Sequence, residues 1–219
     1  MNSDSSTPIA ALFDLDGVLI DSESEYTRIW DEINRQFPTP YPDLSFRIKG
    51  MTLDNILNTF YPDKSLHTPL REILHELEGK MVYNWKPGAK NLLKKLKDLG
   101  IPRILVTSSD AKKMAHLKEE RPDLLPLFSD IVTAERISKS KPDPEGYLLA
   151  TSLAGSKPAN CVVFEDSLQG VKAGQASGSY VIGVAGTLPP ATIQPHSDMV
   201  IESLEEVNLS ELFDILYCR

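Results

Sequence analysis

Short apolar runs that alternate with helical patterns are the feature of this sequence that most limits how the chain can fold. Most of these runs carry Val or Ile and are only a few residues long, which is typical of buried strands. Helical patterns lie between several of them, and strands joined through helices run parallel with both faces covered. The sequence therefore predicts an α/β fold with an open, doubly wound parallel sheet. The predicted strands are Ile9–Leu15, Arg103–Thr107, Ile131–Thr133, Cys161–Glu165 and Tyr180–Val184, and the predicted helices are Ala89–Leu99, Glu145–Leu153 and Leu168–Ala176.

The stretch from about residue 23 to residue 83 has a different pattern, without a convincing strand. Three apolar stripes recur there at helical spacing, which indicates a small all-helical domain inserted after the first strand. We predict an α/β core over residues 1–20 and 85–219 and a helical domain over residues 21–84, with Asp21 and Pro87 near the two crossings. The alternative is a set of additional helices that cover the core. The stripes are Tyr26, Ile29, Trp30 and Ile33; Leu53, Ile56, Leu57 and Phe60; and Leu70, Ile73, Leu74 and Leu77.

Charge and cysteine content exclude several classes of function. The 219 residues carry a net charge of −8, which disfavours nucleic-acid partners because such binding relies on Lys and Arg. The two cysteines, Cys161 and Cys218, fit neither a disulfide framework nor a zinc site, so we expect a reducing, cytoplasmic setting. The apolar run from Ile9 to Phe13 is too short for a signal peptide or a membrane span, and we expect no membrane association.

A pair of carboxylates follows the first predicted strand. Side chains alternate along a strand, so Asp14 and Asp16 are expected on the same side, and Gly17 permits a sharp turn after them. Two like charges this close repel unless a cation lies between them or one is protonated. Ligands in open α/β sheets bind beyond the carboxyl ends of the strands, where this pair is predicted to lie. The alternative is that the two acids only cap a turn.

Four motifs, in order along the chain, resemble those of the haloacid dehalogenase superfamily. The resemblance covers residues from Leu12 to about Val184 and implies a Rossmann-like core with a helical cap. Within the superfamily, the chain is most similar to the branch of the β-phosphoglucomutases and the sugar and nucleotide phosphatases. The motifs are Asp14-Leu15-Asp16-Gly17-Val18, Ile104-Leu105-Val106-Thr107-Ser108, Lys141-Pro142-Asp143-Pro144 and Val162-Val163-Phe164-Glu165-Asp166-Ser167.

The resemblance implies a phosphatase that works through a covalent aspartyl-phosphate. Asp14 would attack phosphorus, which splits one difficult displacement into two easier ones. Asp16 would protonate the leaving oxygen and then deprotonate the attacking water. Mg²⁺, which prefers oxygen ligands, would be held by Asp14, the backbone carbonyl of Asp16 and Asp166, with Glu165 acting through water or a second layer of contacts.

The second and third motifs imply groups that contact the phosphoryl oxygens. Thr107 would donate a hydrogen bond and Ser108 its backbone N–H; the alternative for Thr107 is an ordinary helix cap. Lys141 would neutralise the nucleophile and the transferring oxygens as a compact charge. A solvated surface lysine is the alternative, and Lys139 is a nearby competitor that lacks the following proline.

The helical insertion carries the residues that the resemblance links to substrate choice. Lys49 and Gly50 resemble a loop that reaches into the site in this branch, where Lys49 would contact a substrate oxygen; the alternative is a solvated loop lysine. Tyr26 lies near a position that carries histidine in β-phosphoglucomutases and would line the pocket; the alternative is an aromatic side chain in the core of the helical domain. The arginine that those mutases carry after the loop glycine is missing here, which favours water as the phosphoryl acceptor. We expect a small phosphorylated metabolite as substrate and a monomer or weak homodimer. The alternatives are a β-phosphoglucomutase-type mutase, an inorganic pyrophosphatase and a non-catalytic phosphate-binding protein.

Overall fold

The chain divides into two compact units. The computed structural model describes residues 8–48 and 53–218. One unit contains the described residues up to Asp21 and those from Tyr83 onward, and the other is Ser22–Val82. The predicted substrate-binding residues Lys49 and Gly50 lie outside the described residues. Among the helices that are described, none is long and apolar enough to cross a membrane.

The first unit is built on a six-stranded sheet in which every neighbouring pair is parallel. The strand order is β3-β2-β1-β4-β5-β6, which confirms the predicted α/β fold class. Two predicted strands have the observed bounds, whereas the first was predicted too long at both ends, and β6 was missed. The strands are β1 (Ala10–Phe13), β2 (Arg103–Val106), β3 (Asp130–Val132), β4 (Cys161–Glu165), β5 (Tyr180–Val184) and β6 (Met199–Ile201).

The centre of the sheet explains why these runs are so apolar. β1 lies between β2 and β4, with Leu12 aligned to Ile104 on one side and to Val163 on the other. All three side chains are fully buried. The rings of Phe13 and Phe164 stack with their centroids 4.6 Å apart. Burial of each such side chain contributes about 1.5–3 kcal/mol, so the core holds the ends of β1 and β4 in fixed positions.

In the second unit, the described residues form helices and turns, with no strand among them. Each predicted stripe lies on a helix, and Ile29, Trp30 and Ile33 on the first helix and Leu70 and Leu74 on the last are buried. These apolar faces pack together because no single helix can bury its own stripe. The helices are α1 (Glu23–Gln36), α2 (Leu44–Arg47), α3 (Leu53–Phe60) and α4 (His67–Glu78).

The remaining helices belong to the first unit, and all but the last of them lie between its strands. The predicted helix from Glu145 to Leu153 has the observed bounds, and the two others differ by one residue at their ends. Three helices were not predicted (α6, α9 and α10), of which α6 contributes to the site described below. The helices are α5 (Ala89–Asp98), α6 (Ala111–Glu120), α7 (Glu145–Leu153), α8 (Leu168–Ser177), α9 (Pro190–Ile193) and α10 (Leu209–Tyr217).

Candidate active site

Asp14 follows directly after the central strand β1. The prediction that this strand continues to Leu15 is wrong, since β1 ends at Phe13. The backbone N–H of Asp14 still donates to the carbonyl of Phe164, at 3.0 Å, so the residue remains fixed against β4. The chain then turns at Gly17, whose φ of 74° is strained for residues with a side chain. The carboxylate of Asp14 therefore lies between the end of the strand and this turn, at the carboxyl edge of the sheet.

Three carboxylates meet at this edge. One oxygen each from Asp14, Glu165 and Asp166 lies within 4.8 Å of the others, and all three residues are buried. They converge because β1 and β4 are parallel neighbours that end together. A Cβ atom on residue 17 would lie 1.8 Å from Oδ2 of Asp166, so this approach requires glycine there. The hydroxyl of Thr187 donates to the same oxygen of Asp166.

Lys141 inserts its ammonium group into this acidic cluster. Its Nζ lies 2.5 Å from Oδ1 of Asp14, donates to Oε1 of Glu165 and donates to the carbonyl of Val106 at 3.2 Å. The competing residue Lys139 is exposed, and its Nζ lies 3.7 Å from Oδ2 of Asp143. Of the two candidate lysines, the structure therefore brings Lys141 to the predicted nucleophile.

Glu165 is fully occupied by hydrogen bonds from the protein. One oxygen accepts from Lys141 and from the hydroxyl of Tyr147, the latter at 2.8 Å. The other accepts from the backbone N–H groups of Asp166 and Ser167 and from the Ser167 hydroxyl. A carboxylate has about four acceptor sites, so these bonds leave little capacity for direct metal ligation. This geometry fits Glu165 as a residue that holds Lys141, and it does not fit a direct metal ligand.

The cluster carries more negative charge than its single lysine offsets. Burial raises the pKa of Asp14 to about 7, with the charges of Glu165 and Asp16 adding to the rise and Lys141 opposing it. Burial, together with the charges of Asp14 and Glu165, also raises the pKa of Asp166 well above its usual value. Burial alone would lower the pKa of Lys141, but the neighbouring carboxylates outweigh it and raise that pKa.

The donor set fits a divalent cation. Asp14 and Asp166 supply the hard oxygen atoms that Mg²⁺ prefers, and their raised pKa values mean that a further positive charge would be favourable there. Zinc and softer metals prefer nitrogen and sulfur ligands, and no His or Cys belongs to this cluster among the described residues.

Asp16 has its own cationic partner, which sequence reasoning missed. Nζ of Lys113 lies 2.7 Å from both carboxylate oxygens of Asp16, and the hydroxyl of Ser109 donates to Oδ2 at 3.3 Å. Burial would lower the pKa of Lys113, but the charge and hydrogen bonds of Asp16 outweigh it and raise that pKa. The two neighbouring carboxylates of the first motif are therefore paired with two different lysines.

The hydroxyl residues after β2 occupy different environments. Thr107 is buried, its hydroxyl donates to Oγ of Ser109 at 2.9 Å, and its Oγ1 accepts from the Ser109 N–H at 3.0 Å. Ser108 is exposed. Thr107 and Ser109 thus form a hydrogen-bonded chain that ends on Asp16. The sequence pointed to Thr107 and Ser108, and it gave no signal for Ser109.

Tyr26 belongs to the second unit and lines a cavity there. Its hydroxyl donates to Oε1 of Glu78 at 3.1 Å, and Nδ1 of His75 lies 3.9 Å from the other oxygen of that carboxylate. The cavity has a volume of about 460 Å³ and is also lined by Trp30 and Leu74. It therefore combines apolar walls with a polar edge, which is typical of small-molecule sites.

Comparisons with known proteins agree with the motif assignment. The family model described as haloacid dehalogenase-like hydrolase matches residues 10–178. Hexitol phosphatase A of Escherichia coli is 33% identical over 207 residues, which is 91% of this chain and 93% of that protein. Beta-phosphoglucomutase of Bacillus subtilis is 28% identical over 216 residues, covering 90% and 94% of the two chains.

A solved structure extends the likeness to the whole fold. The structure of a HAD hydrolase of family IA, variant 3, from Entamoeba histolytica superposes with a TM-score of 0.79 at 26% identity, covering 95% of this chain and 99% of that one. The predicted membership of the haloacid dehalogenase superfamily is confirmed by these matches and by the observed sheet. The chain belongs to the haloacid dehalogenase-like hydrolases, in the branch of the phosphatases and β-phosphoglucomutases, and it is a phosphatase.

Proposed function

We propose that this enzyme is a Mg²⁺-dependent phosphatase of a small phosphorylated sugar or nucleoside monophosphate, with Asp14 as a covalent nucleophile. The observation that carries the proposal is the buried cluster of Asp14, Glu165 and Asp166 with Lys141 against it. A carboxylate that only capped a turn would not need a buried lysine or two further buried acids. The cost of burying four charged groups indicates a functional site.

The two carboxylates of the first motif divide the chemistry between them. As the Oδ–P bond forms at Asp14, the bond from phosphorus to the leaving oxygen breaks, and Asp16 gives its proton to that oxygen. Water then attacks phosphorus, Asp16 takes a proton from it, and Asp14 is regenerated as inorganic phosphate leaves. Lys141 keeps Asp14 oriented and offsets the charge on the transferring oxygens.

Asp14, Asp166 and the backbone carbonyl of Asp16 would hold the cation. When bound, it would reduce the repulsion between an anionic nucleophile and an anionic phosphate. Glu165 contributes by fixing Lys141, which its hydrogen bonds support. Thr107 and Ser108 are proposed to contact phosphoryl oxygens, and Tyr26, Lys49 and Gly50 are proposed to contact the rest of the substrate.

A sugar or polyol phosphate is the favoured substrate. The similarity to hexitol phosphatase A, over nearly the full length of both chains, supports this class. The similarity to beta-phosphoglucomutase favours a phosphosugar mutase as the second candidate. The segment Met51-Thr52-Leu53-Asp54 contains no arginine, and a mutase must grip a second phosphate, so hydrolysis remains the better proposal.

A substrate panel with and without Mg²⁺ tests the proposal. Hexitol and hexose phosphates, nucleoside monophosphates, pyrophosphate and β-glucose 1-phosphate are offered, and both inorganic phosphate and glucose 6-phosphate are measured. We expect phosphate release from a monoester that stops with a chelator. Asp123→Asn, at an exposed ion pair with Lys90, is the matched carboxylate-to-amide control for Asp14→Asn.

Each other outcome contradicts the proposal in a different way. Conversion of β-glucose 1-phosphate to glucose 6-phosphate without phosphate release would support the mutase. Release from pyrophosphate alone would support the pyrophosphatase. Tight binding of phosphate without turnover of any ester would support a binding protein.

A further inference from the structure

Lys113 occupies a position where a lysine is unfavourable for the helix alone. It lies in the first turn of α6, three residues after the N-cap Asp110. A cation there opposes the helix dipole, which destabilises the start of the helix. Its side chain is also 19% exposed, so most of a charged group is removed from water. A specific partner is required to offset both costs.

The partner is the carboxylate of Asp16. Lys113 is equidistant from both oxygens, 2.7 Å each, although the two residues lie 97 positions apart in the sequence. The backbone at Lys113 is held by the N-cap, since Oδ1 of Asp110 accepts from the Lys113 N–H at 2.8 Å. The ion pair therefore joins the start of α6 to the turn after β1, and Ser109 adds a further hydrogen bond to Asp16.

The neighbouring lysine provides a contrast on the same turn. Lys112 is exposed, whereas Lys113 is mostly buried against Asp16. Both residues have the same charge, the same stem and almost the same position relative to the helix dipole. They differ in their contact with the carboxylate that transfers the proton.

We infer that Lys113 is a positioning residue that aims the carboxyl group of Asp16 at the leaving oxygen. The inference rests on the proposed function, because it assigns Lys113 to the proton-transfer half of that reaction. Lys113 does not itself exchange the proton or touch phosphorus. Its loss leaves Asp16 free to rotate, and the loss of alignment weakens protonation of the leaving group.

Two substrates separate this role from a purely structural one. p-Nitrophenyl phosphate releases a stabilised anion that hardly needs protonation, whereas an alkyl phosphate such as a hexitol phosphate releases an alkoxide that does. We expect Lys113→Met to lower kcat/KM for the alkyl ester by about ten- to a hundredfold and for the aryl ester by much less. Lys113→Arg should restore most of the loss, and Lys112→Met should match the wild type on both esters.

The controls keep this failure distinct from failure of the proposed function. The alkyl ester is a monoester that the substrate panel shows to be hydrolysed. If the wild type hydrolyses no monoester of that panel, or Asp16→Asn does not discriminate between the alkyl and the aryl ester, the proposed function is wrong. If the wild type and Asp16→Asn behave as expected but Lys113→Met lowers kcat/KM by the same factor for both esters, or for neither, the inference is wrong. Because partial unfolding lowers kcat/KM for both esters by the same factor, the ratio of the two values is read in Lys113→Met even if that variant unfolds at a lower temperature. Lys113→Gln, whose amide can still donate to Asp16, should change the ratio less than Lys113→Met does.

Discussion

Asp14 and Asp16 are two residues apart, but the structure gives them different surroundings. The Asp14 side chain is 11% exposed and its lysine, Lys141, is 12% exposed, within a cluster that includes two further buried acids. The Asp16 side chain is 32% exposed and its lysine, Lys113, is 19% exposed, at the start of a helix. One carboxylate is fixed by the core, and the other lies at its edge.

This difference matches the two tasks that we propose. A nucleophile benefits from a fixed position and from neighbours that stabilise its charge, because folding has already fixed its orientation before the substrate binds. A proton shuttle must face first the leaving group and then water, which a more exposed side chain allows. The contrast shows that a single short motif can supply both roles when each carboxylate receives its own lysine.

Asp14→Asn tests the role of the buried carboxylate and should have the largest effect. We expect turnover to fall by at least about 10⁴-fold, since an amide is not a nucleophile here and no other described residue takes its place. The variant should unfold at a higher temperature than the metal-free wild type, because one buried like charge is removed from the acidic cluster. Steady-state kinetics and thermal unfolding measure the two effects. Wild-type rates would remove Asp14 from its proposed role.

Asp16→Asn tests the role of the more exposed carboxylate and should have a smaller effect. We expect a loss of about 10²–10⁴-fold in turnover of alkyl phosphates, the usual contribution of general acid–base catalysis. With an activated aryl ester the first step should survive better than the second, so stopped-flow absorbance should show a burst of nitrophenolate close to one per enzyme. Equal losses in both steps would contradict a shuttle that serves them separately.

Gly170→Ala tests how strongly the site around Asp14 depends on Glu165, the residue that holds Lys141. A Cβ atom there would lie 1.8–2.1 Å from the carboxylate of Glu165, which would displace the partner of Lys141. We expect a loss of about 1–3 kcal/mol in the free energy of unfolding together with reduced kcat. Gly79→Ala, whose nearest contacts are 3.5 Å and 3.6 Å, is the control. Unchanged unfolding in Gly170→Ala would show that the cluster adapts easily.

The pH dependence of stability gives the smallest effect and sharpens the same contrast. The pKa of Asp14 rises on folding from 3.8 to about 7, so the folded state binds more protons than the unfolded state between these values. Ionisation of Asp14 should therefore lower the free energy of unfolding of the metal-free protein as the pH rises from about 4 to about 7. Denaturant titrations of the wild type and of Asp14→Asn measure this contribution, and the wild type should lose stability relative to the variant over this range. A constant difference in the free energy of unfolding between the two would contradict the unfavourable charge in the cluster.

Local patterns in the sequence predict the strands and helices of the fold more accurately than they predict the contacts within the candidate site. The long apolar runs of β4 and β5 are visible because both faces of each strand are buried. β6 has three residues with Met199 exposed at the sheet edge, so its pattern is too short and too weak. β1 ends at Phe13 and the chain turns at Gly17, a turn that the sequence permits but does not require.

Contacts across the fold explain what sequence reasoning missed. In the sequence, only the following proline distinguishes Lys141 from Lys139. Tertiary packing brings Lys141 to Asp14. The Lys113–Asp16 pair joins residues 97 positions apart, with no local signal except a lysine in an unfavourable helical turn. The hydrogen bonds that occupy Glu165, at the end of β4, also include one from Tyr147, which lies on α7.

Chemical trapping of the phosphorylated enzyme tests the central claim most directly. Enzyme turning over a hexitol phosphate or an aryl phosphate with Mg²⁺ is quenched and treated with borohydride, which reduces an acyl phosphate to the alcohol. Mass spectrometry of the digested protein should find homoserine in place of Asp14, and Asp14→Asn should give none. A rapidly hydrolysing enzyme with unmodified Asp14, or with the modification on another residue, would contradict the account.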